Sequence, residues 1–143
     1  MPFELWVTRA TRWEDRSATA RESIRLAEVE RVLTTPWSVR RGDAWCVSYP
    51  GSGEPWFVAR LEPARGHTDA GHLVLSVSYS NHRFVRNMAD AFDQALRLAD
   101  VLRARVFEEV RGQQITAANV DSIVVPETEY SRFVVSSFRA QQE

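Results

Sequence analysis

The chain contains no lysine: all 18 of its basic residues are arginine. That absence excludes Schiff-base lysine chemistry and the phosphate-binding lysine of a P-loop. Cysteine is nearly absent too, and the single Cys46 can form neither an internal disulfide nor a paired-cysteine metal knuckle. Neither sign of charge prevails: 18 basic residues oppose 19 acidic ones for a formal net charge of -1, so there is no global field to hold a polyanion. Nucleic acid is therefore not expected as a partner. No apolar run approaches the roughly 18 residues of a spanning helix. The start MPFELWVTRATRW carries Glu4 inside its only apolar stretch, unlike a secretory signal. A soluble, cytoplasmic protein without a membrane partner is expected. A GxSxG elbow and a glycine-rich loop between strand and helix are both missing, which removes the common hydrolase and nucleotide-binding signatures.

What is present describes a single α+β domain over residues 1–143, with 44% hydrophobic and 26% charged residues. Phe3, Leu5 and Val7 alternate with Glu4, Trp6 and Thr8, which predicts a strand at 3–8. Leu26, Val29, Val32 and Leu33 recur at three and four residues until Pro36, which predicts a short helix. Turn signals at Gly42-Asp43, Pro50 to Gly53 and Pro63 to Gly71 then separate strands near 37–41, 44–49, 55–62 and 72–79, an antiparallel meander. The helical spacing of Phe84, Val85, Met88, Ala89, Phe92, Ala95, Leu96, Ala99 and Leu102 predicts a long helix packed on one face of that sheet. Residues 105–107 can return as a strand, and Gly112 turns the chain towards Ile115. Thr116 resembles the N-cap of a short helix through Val120 and Ile123, and Pro126 opens a second one carrying Tyr130, Phe133, Val134 and Phe138.

Few residues point to chemistry. The string HTDAGH brings His67, Asp69 and His72 together, an acceptable start of a zinc or iron ligand set without a third firm partner. Cys46 sits mid-strand between Trp45 and Val47, where cysteine behaves as a small buried hydrophobe. Glu108 and Glu109 form the sharpest acidic pair, but neighbours on a strand point to opposite faces, which suits a solvated strand end better than joint acid–base work. No catalytic residue, cofactor or metal is expected. The five tryptophans, Trp6, Trp13, Trp37, Trp45 and Trp56, exceed what the core of so short a chain needs. Tryptophan and arginine are enriched at the energetic centres of protein interfaces. Trp13, Trp37 and Trp56 stand at loop or strand margins and are the candidates for a partner-facing surface.

The start ELWVTRATRW and the segment LSVSYSNHRFVRNMADAFDQALRLADVLRARVFEEVRGQQITAANVD resemble small bacterial immunity-type proteins of polymorphic toxin and type VI secretion systems. The resemblance spans about half the chain, and neither motif is catalytic. It implies a compact binding protein whose partner is a cognate toxin, with Trp37 and Trp56 packing and Asp69, Glu108 and Glu109 engaging basic groups. Two other classes remain open: a small α+β secretion chaperone for an effector, and a small metal-dependent hydrolase working from HTDAGH.

Overall fold

In the computed structural model the described residues are 2–15, 23–64, 66, 69–78 and 84–120. The expected C-terminal helix from Pro126 to Phe138, the Ile123 end of the helix before it, and His67 lie outside them. Among the described residues there are eight strands, β1 (Pro2–Thr8), β2 (Ile24–Arg25), β3 (Ser38–Arg41), β4 (Ala44–Ser48), β5 (Pro55–Pro63), β6 (Ala70–Ser78), β7 (Arg105–Glu108) and β8 (Gln114–Ile115). The two helices are α1 (Leu26–Val32) and α2 (Phe84–Leu102), and a single 3-10 turn spans Trp13–Asp15. Every strand pair is antiparallel, in the order β3-β4-β5-β6-β1-β7-β8, with β2 beside β6 beyond the end of β1. The domain is therefore α+β. The meander expected between residues 37 and 79 is β3 to β6.

Register assigns the side chains to faces, because directly opposed residues on paired strands point the same way. Leu5 opposes Leu75 and Glu108, Leu75 opposes Ala59, and Ala59 opposes Trp45. This face therefore carries Phe3, Leu5, Val7, Phe57, Ala59, Leu61, Leu73, Leu75, Val77, Trp45, Val47, Val106 and Ile115, all buried in one core. Met88, Ala91, Phe92, Ala95, Leu98, Ala99 and Leu102 of α2 belong to the same core, and the Phe92 ring lies 5.7 Å from that of Phe3. Ala89 and Leu96 are half-buried while Ala91 and Leu98 are buried, so the inward stripe is displaced from the one that the apolar spacing predicts.

Arg9, just beyond β1, ties the helices together. Its guanidinium takes both carboxylate oxygens of Glu28 in the first turn of α1 and donates to the Leu102 carbonyl at the end of α2 at 2.8 and 3.0 Å. A cation at a helix C-terminus satisfies carbonyls that the helix itself leaves unpaired. The Glu28 carboxyl is held below its ordinary value by the hydrogen bond from Arg9, which outweighs its partial burial. At the start of β6, Gly71 lies so close to β5 that a Cβ there would stand 1.8 Å from the Glu62 carbonyl oxygen. Only glycine allows that approach.

Candidate functional site

The opposite face of the sheet carries the other half of each strand, polar and apolar side chains together, and it is where the partner-facing candidates can be judged. Along one row across the strands lie Val39, Cys46, Val58, Ser76 and Glu4. The next row runs Arg41/Ala44, Arg60, Val74, Trp6, Phe107 and Gln114. Burial is greatest at the Glu4 end of the first row and least at Val39. Glu4 is largely covered, Ser76 and Cys46 are half-buried, and Val58 and Val39 are 41% and 54% exposed. Cys46 is thus not the buried hydrophobe expected of it, because it faces away from the core that holds its neighbours Trp45 and Val47.

The covered end is a charge network. Arg60 reaches Glu4 at 2.6 Å and Ser76 at 3.1 Å, and Ser76 donates to Glu4 at 2.9 Å. Partial burial pushes the Glu4 carboxyl up, but hydrogen bonds with Arg60, Ser76 and Glu109 and the Arg60 charge outweigh it and hold the group below its ordinary value. The same pairing raises the Arg60 guanidinium against its own desolvation. Beside this network Trp13 stands edge-on to Trp6 at 5.3 Å and lies 5.9 Å from Phe107, with Gly112 beneath its indole. Trp13 is therefore engaged in an internal aromatic stack.

The acidic pair divides. Glu108 is fully buried on the core face, and its carboxylate accepts the backbone amides of Arg111 at 2.9 and 3.1 Å and of Gln113 at 3.2 Å. The expectation that Glu108 meets a partner is corrected: its oxygens close the turn between β7 and β8. Glu109 points the other way, is exposed, and neighbours Glu4. Asp69 is exposed at the start of β6, where its carbonyl accepts the Leu26 amide at 2.7 Å, about 25 Å along the strand direction from the end that holds Trp37.

Of the site-like residues in the HTDAGH string, Asp69 and His72 lie among the described residues. His72 is buried, with Nδ1 2.7 Å from the Thr8 hydroxyl and its ring 5.6 Å from that of Trp6. Among the described residues no group of three or more histidine, cysteine or acidic side chains is placed to hold a metal ion.

The remaining tryptophans lie towards the exposed end of the row. Trp37, just before β3, is 37% exposed. Trp56 is half-buried, stacked on Tyr49 at 5.0 Å and edge-on to Phe57 at 4.9 Å, beside the register break between Val47 and Ser48. Trp37, Val39 and Val58 are three of the five large apolar side chains left exposed among the described residues. Sequence reasoning missed Val39 and Val58, since alternation separates the two faces of a strand without saying which one is covered. Comparison with protein-family models, curated proteins and solved structures finds no match.

Proposed function

We propose that the protein is an immunity-type binding protein of the bacterial cytoplasm, which holds a cognate antibacterial toxin and blocks its active site without turning over a substrate. The observation that supports this reading best is the exposed cluster Trp37, Val39 and Val58 on the sheet face opposite α2. A few large apolar residues within a polar surround is the composition of a binding centre. Trp37 and Trp56 form the packing part of the proposed surface, while Glu109 and the distant Asp69 are its acidic margin. The resemblance of the ELWVTRATRW start to immunity-type proteins supplies the class of partner.

The test is to express the product of the neighbouring reading frame and measure its binding to alanine variants at two salt concentrations. Trp37→Ala is expected to weaken binding by about thirtyfold, roughly 2 kcal/mol, through faster dissociation. Asp69→Ala and Glu109→Ala are expected to slow association most at low salt, because steering by surface charge is screened over about 10 Å at 0.1 M. Wild-type binding by all of these variants would remove this surface, and absence of binding to the neighbour would remove the toxin.

A further inference from the structure

Two shallow hollows adjoin at the exposed end of the sheet and share Ser48. One, of about 430 Å³, is lined by residues that include Arg41, Cys46, Trp56, Val58, Ser76 and Ser78. The other, of about 500 Å³, lies under Pro36, Trp37, Val39, Gly51 and Gly53. Neither is lined by a carboxylate. Arg41 is exposed, and its guanidinium has no hydrogen-bond or ion-pair partner among the described residues. The indole N–H of Trp56, in the wall of the first hollow, is buried without an acceptor among them. A guanidinium can only donate, so the exposed Arg41 leaves an acceptor to be supplied from outside, whereas the buried Trp56 N–H is shielded from any incoming group.

The outer edge of β3 borders this region and pairs with no other strand among the described residues. Arg41 and Ala44 flank the two-residue turn Gly42-Asp43, and Val39 opposes Cys46. In such a hairpin the flanking residues exchange backbone bonds with each other, so Val39 and Arg41 face β4 and the N–H and C=O of Arg40 point outward. Of the two arginines on this open edge, Arg40 is ion-paired with Glu30, and Arg41 is the exposed cation. A second copy paired antiparallel about Arg40 would bring the two Arg41 side chains together as diagonal neighbours on one face, like charges that destabilise the pairing, whereas an acidic strand would meet opposite charge there.

We propose that the open edge of β3 binds an extended acidic segment of a partner polypeptide, whose side chains on the open face of the sheet set apolar groups against Trp37 and Val39 and a carboxylate on Arg41. Strand addition of this kind draws affinity from main-chain hydrogen bonds and specificity from pockets for alternate side chains. The inference rests on the reading above only in taking the partner to be a polypeptide, and it names the chemistry that the groove selects.

The experiment is fluorescence anisotropy with a labelled eight-residue peptide in which every second residue reads valine, valine, glutamate, glutamate with threonine between, so that valine and glutamate share one face, against counterparts carrying glutamine or lysine for glutamate. The glutamate peptide is expected to bind at least tenfold more tightly than the lysine peptide, with glutamine between them. Arg41→Gln should cut its affinity about fivefold, while Arg103→Gln, an exposed arginine just beyond the far end of α2, should leave it unchanged. N-methylation of alternate peptide amides should abolish binding. Equal binding of the lysine peptide, an unaffected Arg41→Gln variant or an unaffected N-methylated peptide would each overturn the proposal. So would a dimer in light scattering that Val39→Asp disperses, which would assign the groove to a second copy, or equal competition by hexanoate, which would assign it to a free acid. Because the peptides need no toxin, toxin binding without peptide binding removes the groove alone. Peptide binding without toxin binding removes the immunity reading alone.

Discussion

At the scale of single residues, Glu108 and Glu109 show how much one position along a strand decides. The sequence offers two equivalent carboxylates, and strand alternation separates them, but only the register against Leu5 shows that Glu108 falls on the core face and caps backbone amides. Trp13 and Cys46 were ambiguous for the same reason: their neighbours in the chain do not reveal what packs across the sheet. Glu4 carries a consequence for pH. Its carboxyl lies below the ordinary value of 4.5 in the folded chain and returns to it on unfolding. As acid is added the unfolded chain therefore takes up its proton first. The resulting stabilisation is complete above the ordinary value and is lost as pH falls through the lower folded one. In denaturant titrations at about pH 7, 4 and 3, Glu4→Gln should lose less of its own stability on acidification than wild type loses. Parallel losses would show that the Arg60 pairing is not linked to folding.

At the scale of elements, legibility followed length and period. α2 was readable over its whole span because nineteen residues repeat one pattern, and β3 to β6 were readable because glycine and proline punctuate them. β2 was not, since two residues carry no period and Ile24–Arg25 are a strand only because β6 extends past the end of β1. The stop of α2 was equally hidden: Arg103 takes a left-handed φ of 54°, and Ala104 donates back to Ala99 at 2.8 Å, a closure usually built with glycine. Phe92→Ala should lower stability by about 3 to 5 kcal/mol, the usual result of emptying a fully buried aromatic site. Leu96→Ala should cost less than Leu102→Ala, because Leu96 is half-buried and Leu102 is 3% exposed. Chemical denaturation of the three variants checks both magnitude and order, and an unchanged Phe92→Ala midpoint would mean that α2 does not lean on the sheet through this residue.

At the scale of the whole molecule, the α+β class was legible from strands gathered early and helices after them, while the strand order was not. Nothing in the alternation of Phe3 to Val7 says that β1 lies between β6 and β7, because pairing partners are chosen by packing over long sequence separations. The open face was illegible for the same reason. One core joins β1, β4, β5, β6, β7 and α2, so unfolding should be a single cooperative event in which tryptophan fluorescence and far-ultraviolet circular dichroism report the same midpoint. Two separated midpoints would divide the chain into independent units. The central place of β1 also bears on how the protein is made. On the ribosome β1 emerges before both strands that flank it, which start at Ala70 and Arg105, so at synthesis rates of about 5 to 20 residues per second it waits roughly 5 to 20 s for the second of them. Through that interval Phe3, Leu5 and Val7 stand on a nascent strand with both edges bare, and Glu4 in their midst is the charge that discourages it from adhering to its neighbours on the polysome.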